Sequence, residues 1–95
     1  MPALIWTVPA RDDIRRIEAW LDENATPGSA VATLTAIYRR AAFLANFPRS
    51  GRPLKNGLRV LRVLDTPHVI LYRATEAAVQ VLRVHHERED WLVEP

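Results

Sequence analysis

The sequence predicts an α+β fold: one strand, two helices and three further strands in the order β-α-α-β-β-β, a small, largely antiparallel sheet with a helical hairpin packed on one face. Three observations predict it. Apolar residues recur at helical spacing between Ala10 and Leu44, the period drops to two from Leu58 onward, and a basic segment rich in Pro and Gly separates the two regimes. The chain has 95 residues, 48% of them hydrophobic, which supplies apolar surface for one core and too little for two. Residues 1–95 are therefore expected to form a single domain.

Leu4-Ile5-Trp6-Thr7-Val8 is β-branched and aromatic and reads as the first strand. Pro9 suits the first turn of a helix, where a missing N–H leaves nothing unsatisfied, and Asp12 and Asp13 are expected to complement the positive helix end. Ala10, Ile14, Ile17 and Leu21 then form one stripe, widened by Trp20, so this helix is expected to run to Glu23. Asn24 to Ser29 breaks the pattern and offers Thr26 as the N-cap of a second helix. That helix lines up Val31, Leu34, Ile37 or Tyr38, Ala41, and Leu44 or Ala45, and ends near Phe47-Pro48. So short a link makes the pair an antiparallel hairpin. Residues 48–57 carry too much Pro and Gly for regular structure. Residues 58–64, 69–74 and 78–85 read as three strands of a meander, separated by Asp65-Thr66-Pro67 and Thr75-Glu76-Ala77. Trp6 and Trp20 are expected in the core.

The composition excludes several classes. Without cysteine there is no disulfide framework, thiolate metal site or thiol nucleophile. The N-terminal residues lack a basic segment followed by an apolar run, and no stretch approaches the roughly 20 apolar residues that cross a bilayer. A cytoplasmic chain without a membrane partner, cofactor or metal is expected. Net charge is only +2, but it is unevenly spread. Residues 1–47 balance five Arg against five acids, whereas residues 49–86 set seven basic residues against Asp65 and Glu76 alone. Twelve of the thirteen basic residues are arginine, whose planar fork binds carboxylate or phosphate through two hydrogen bonds. Arg52, Lys55, Arg59, Arg62, Arg73 and Arg83 are thus candidates for binding an anionic target, against the blander reading of a solvated face. For Arg73 and Arg83, which lie within strands, an internal salt bridge to Asp65 or Glu76 fits equally well.

Four segments carry a family resemblance in their order and spacing: Gly51-Arg52-Pro53, Gly57-Leu58-Arg59-Val60-Leu61, Thr66-Pro67-His68-Val69-Ile70-Leu71-Tyr72-Arg73 and Val81-Leu82-Arg83-Val84-His85-His86. Together they resemble the ParE/RelE toxin superfamily, closer to its ParE-like branch, over nearly the whole chain. The resemblance implies the toxin of a type II toxin–antitoxin module, neutralised by a cognate antitoxin in a complex that can be of higher order. ParE-like members poison DNA gyrase and arrest growth. RelE-like members enter the ribosome and cut messenger RNA. Antitoxins of such relatives lay a helix or strand along the toxin, and Ile14, Ile17, Leu34, Tyr38 and Trp91 are the positions expected to receive one, with Arg15, Arg16, Arg39 and Arg40 as rim contacts.

Metal-independent RNA cleavage requires activation of the 2′-hydroxyl, stabilisation of the phosphorane and protonation of the leaving oxygen. The resemblance assigns that work to cations on the strands. Arg62 matches one such position, but Val69 occupies another, Glu87 and Arg88 flank a third, and Trp91-Leu92-Val93 stands where a tyrosine or histidine often completes the site. A binding toxin is therefore expected. If the chain is a nuclease, its candidates are Arg62, Arg83, His85, His86 and Arg88. His86 fills the histidine position of the ParE-like pattern, and His85 stands where an apolar residue is commoner. As strand neighbours they point to opposite faces, which leaves one for any given site and disfavours a two-histidine metal chelate. A plain nucleic-acid-binding module is disfavoured by the near-neutral charge and by the lack of exposed aromatics among the arginines.

Overall fold

The structure, a computed structural model, describes residues 2–89. It comprises β1 (Ala3–Trp6), α1 (Val8–Asn24), α2 (Pro27–Asn46), β2 (Arg52–Pro53), a 3₁₀ turn at Lys55–Gly57, β3 (Leu58–Arg62), β4 (His68–Ala74) and β5 (Ala78–His86). The sheet order is β1-β5-β4-β3-β2. β1 runs parallel to β5, and every other pairing is antiparallel. The expected order of elements and the hairpin are present, with two additions: the two-residue β2, and the return of β1 to the far edge beside β5.

The first strand stops at Trp6, short of the expected Val8, because Thr7 leaves it to cap α1. Its hydroxyl accepts the Ala10 N–H at 3.3 Å and lies 3.0 Å from the carbonyls of Val81 and Leu82. Asp12 and Asp13 consequently lie beyond the first helical turn and do not serve the positive end. Thr26 caps α2 as expected, accepting Ser29 N–H at 3.2 Å. β3 ends at Arg62 instead of residue 64, since the chain reverses through Asp65 in a left-handed conformation, φ 63°, which Asp tolerates better than most residues. The Thr66 hydroxyl closes this turn on the Val63 carbonyl at 2.8 Å.

Ala10, Ile14, Ile37, Ala41 and Leu44 of the helices meet Leu61, Ile70, Tyr72, Val79, Val81 and Val84 of the sheet in one buried cluster. Trp6 packs partly buried against it, as expected for a core tryptophan. Trp20 does not: it is 61% exposed, because Leu21 takes the inward position and a rotation of about 100° per residue turns its neighbour outward. Val31 and Tyr38 are likewise exposed, while Ile37, Ala41 and Leu44 supply the inward stripe of α2.

One interaction joins the beginning of the chain to its end. β1 reaches only as far as Val81 along β5, which leaves the outer edge of residues 83–86 without a neighbouring strand. Asp13, 2% exposed, fills that gap. Its Oδ2 accepts the Val84 N–H at 2.9 Å and the Arg83 Nε–H at 2.8 Å, and its Oδ1 accepts Arg83 Nη2 at 3.0 Å, with Arg16 adding a further donor. Glu89 accepts the next edge N–H, that of His86, at 2.9 Å. The bulge that makes Leu71 pair with Arg83 and Tyr72 with Val81 re-aims Arg83 toward α1. Its salt-bridge partner is therefore Asp13, 70 residues away, and neither Asp65 nor Glu76.

Asp13→Ala leaves the buried Val84 N–H without an acceptor and the partly exposed Arg83 without its carboxylate, so it is expected to lower unfolding free energy by about 2–3 kcal/mol. Asp13→Asn, which keeps one acceptor, should cost less. Urea denaturation with a two-state fit compares them, and equal stability of Asp13→Ala and wild type would contradict this account.

Candidate functional site

The basic segment 48–57 is clamped. The Tyr72 hydroxyl, on a fully buried ring, donates to the Pro48 carbonyl at 2.8 Å and accepts the Gly51 N–H at 2.8 Å. Burial raises its pKa above the ordinary 10.0 against the opposing effects of that N–H and of Arg59. Gly51 is obligatory here, since a Cβ would sit 2.6 Å from the tyrosine ring and hydroxyl. Arg59 Nη1 donates to the Gly51 carbonyl at 2.8 Å and to that of Arg49 at 3.3 Å. Arg73 Nη2 holds the far end of the loop through the Asn56 carbonyl at 3.2 Å, beside Asn56 and Gly57 in left-handed backbone.

The six candidate anion-binding residues thus divide by role. Arg52 and Lys55 are exposed on the clamped loop, and Arg62 is 73% exposed at the end of β3. Arg59 and Arg73 each turn one nitrogen to the loop, Arg73 remaining exposed, and Arg83 is committed to Asp13. Among the described residues Arg62 has one acidic partner, Glu87, at 3.5 Å; an exposed pair of this length contributes at most about 1 kcal/mol.

Strand register sorts the histidines. Residues facing each other across strands share a face, so Arg62, Val69 and His85 form one row on the face away from the helices. His86 pairs with His68 on the helix-facing side. His85 Nδ1 lies 3.1 Å from Glu89 Oε2, and His86 Nδ1 accepts the Arg88 N–H at 3.1 Å. The nuclease candidates Arg62, Arg83, His85, His86 and Arg88 therefore do not converge: His85 and His86 lie on opposite faces, and Arg83 is turned to the β5 edge. Among the described residues no group of three or more His, Cys, Asp or Glu is placed to hold a metal ion.

His68 is the buried titratable residue that sequence reasoning passed over. It is 9% exposed, its Nδ1 has no hydrogen-bond partner, and its ring meets His86 edge-on at 5.9 Å. Burial first, then His86, lowers its pKa below the ordinary 6.5, while Glu89 and Glu87 oppose the shift. The alternation of β4 was its only signal, since it places His68 in phase with the buried Ile70 and Tyr72.

A second surface runs along β1, whose outer edge bears no further strand among the described residues. A groove there is lined by Leu4, Ile5, Trp6, Ile14, Arg15 and Tyr38. Of the expected antitoxin contacts, Tyr38 is 49% exposed and packs on Trp6 at 5.3 Å between ring centroids. Ile17 and Leu34 are half-buried, and Ile14 is core, forming only the floor. Trp91 lies outside the described residues. On the rim, Arg15 pairs with Asp12 at 3.1 Å and Arg16 with Asp13. Arg40 donates to the Arg62 carbonyl at 2.8 Å, and Arg39 stays exposed. No helix among the described residues is long and apolar enough to cross a membrane.

Comparison with known proteins agrees with this architecture. A family model described as the ParE toxin of the type II toxin–antitoxin system parDE matches residues 4–91. A candidate toxin, Y4kP of Sinorhizobium fredii (strain NBRC 101917 / NGR234), is 31% identical over 87 residues, covering 90% of this chain and 88% of that protein. A solved structure from the chromosomal ParDE toxin–antitoxin system of P. aeruginosa superposes with a TM-score of 0.80 at 25% identity, covering 90% of this chain and 96% of that one.

Two predictions follow from this geometry. Gly51→Ala forces the tyrosine aside and should destabilise the fold by about 1–3 kcal/mol; Tyr72→Phe, which removes both hydroxyl contacts, should cost about 1–2 kcal/mol. Thermal melts of the two variants check this. Because burial lowers the pKa of His68 in the folded state, the unfolded chain takes up the proton first as pH falls through 6.5. Its contribution is therefore full above that pH and is lost below it. Chemical denaturation from pH 7.5 to 5.5 should show a decline that is shallower in His68→Gln.

Proposed function

This chain belongs to the ParE toxin family, the toxin components of type II toxin–antitoxin modules, and we propose that it arrests growth by binding DNA gyrase. The observation that carries the choice of a binding mechanism over RNA cleavage is the row Arg62–Val69–His85. Its centre, where the nuclease branch needs a cation against the phosphate, holds a valine 3% exposed. Arg83 is committed to Asp13, so the phosphorane would lack much of the preorganised charge that such chemistry demands. Arg52, Lys55 and Arg62, displayed from a loop and strand made rigid by Tyr72 and Arg59, suit an anionic patch on a large partner, where electrostatic complementarity speeds and orients association.

The toxin has a cognate antitoxin as partner. We assign its seat to the groove along β1, where Leu4, Ile5, Trp6 and Tyr38 offer apolar contacts and the strand edge offers backbone hydrogen bonds. An RNA-cleaving reading retains one point in its favour: Arg62, paired with Glu87, shares a row on the outward face with His85, one strand beyond Val69, so a cation, a carboxylate and an imidazole occur on that face.

Purified toxin added to gyrase and relaxed plasmid decides between the two. Loss of supercoiling that is relieved by the antitoxin is the expected result; intact supercoiling with cleaved message on translating ribosomes would overturn the proposal. The double variant Arg52→Ala/Lys55→Ala should weaken inhibition about tenfold, equivalent to about 1.4 kcal/mol. Tyr38→Asp should weaken antitoxin binding while leaving supercoiling inhibition unchanged.

A further inference from the structure

The near-neutral total charge conceals a separation. Between Asn24 and Leu64 there is no Asp or Glu, yet the stretch holds Arg39, Arg40, Arg49, Arg52, Lys55, Arg59 and Arg62. This stretch comprises α2, the clamped loop, β2 and β3, and β2 is the terminal strand opposite β1. Five of the acids, at positions 12, 13, 18, 22 and 23, lie instead on α1. One edge of the molecule is therefore cationic.

Past the end of β2 this edge opens into a shallow cleft of about 440 Å³, lined among the described residues by Arg40, Ser50, Arg52 and Arg62 over an aliphatic floor, with Glu87 as the acid. Arg52 has no side-chain partner among the described residues, and the Arg62–Glu87 contact is long and exposed. Backbone pairing is closed off at this edge: Pro53 in β2 has no N–H, and Arg40 Nε occupies the Arg62 carbonyl at 2.8 Å. A peptide cannot extend the sheet here, so recognition must run through side chains. Beside the arginines stands an aromatic pair. Phe43 and Phe47 stack at 4.8 Å, the Arg40 guanidinium lies 5.0 Å over Phe43, and Phe47 is 55% exposed. Cationic side chains along a groove next to an exposed ring are what a single-stranded nucleic acid requires: phosphates for the cations, a base face for the ring. The expectation that no exposed aromatic accompanies the arginines fails at Phe47.

We propose that this edge grips a single-stranded phosphodiester chain, with Arg40, Arg52 and Arg62 on phosphate oxygens and Phe47 beneath a base. The inference rests on the reading of the cationic edge as target-facing, but it stands without gyrase as the target. Loss of gyrase inhibition with strand binding intact counts against the gyrase reading alone.

Fluorescence anisotropy with labelled oligo(dT) and the full chain tests it. Binding should weaken with salt, with a log–log slope of about −2 for three phosphate contacts. Arg52→Ala/Arg62→Ala should bind at least about tenfold more weakly and lower that slope by about 1.4. Phe47→Ala should weaken binding about fivefold or more with the slope unchanged. Arg15→Ala, on the opposite side and paired with Asp12, should bind as wild type, and circular dichroism confirms that each variant is folded. Oligo(rU) distinguishes the source of the strand, and binding to either polymer supports the proposal. Absence of binding at 50 mM salt, undiminished binding by the arginine double variant, competition by polyglutamate as strong as by oligo(dT), or binding to duplex alone would each overturn it.

Discussion

The fold depends on one carboxylate. Asp13 sits on the first helix and receives the Val84 N–H and the Arg83 guanidinium of the last strand, 70 residues away. β1 is too short to cover the full length of β5, and without Asp13 the uncovered stretch would be a buried donor beside an uncompensated cation. A buried ion pair contributes little net stability against an apolar substitute, but leaving half of one behind is severe. Its structural consequence is specificity: α1 has one position in which both of its partners are satisfied, and the helical hairpin follows from that position.

The same device recurs around the sheet. Glu89 takes the His86 N–H, Thr7 meets the carbonyls of Val81 and Leu82, Arg40 takes the carbonyl of Arg62, and Pro53 has no donor to offer. Side chains thus close the ends of the sheet edges, which otherwise template pairing with other chains. On β1, next to the apolar groove with Trp6 and Tyr38, Arg11 Nε takes the Trp6 carbonyl at 3.2 Å in the same way, while Leu4 and Ile5 remain along the groove. For a toxin with a cognate antitoxin, edges partly covered by side chains restrict which segment can dock.

The element order, the helical hairpin and the meander were legible in sequence because hydrophobic period reports directly which face of a helix or strand is buried. Thr26 was legible as a cap because capping is local. Trp20 was misjudged because one residue of helical rotation decides between Leu21 and its neighbour, and both are apolar. Arg83 was legible as needing a partner, but Asp13 looked like an ordinary acid near a helix start. Nothing local marks a carboxylate destined for a strand 70 residues on. Arg59 and Arg73 looked like displayed cations, and their use as clamps becomes visible only once the loop lies against Tyr72.

The sequence by itself determined the family, the α+β order and the excess of arginine in the second half, since these rest on composition, periodicity and ordered motifs. Tertiary structure alone decided which cations remain available. Whether a guanidinium is displayed or spent depends on which acceptors the fold brings within about 3 Å, and those acceptors, the carbonyls of Pro48's loop and the carboxylate of Asp13, come from distant parts of the chain.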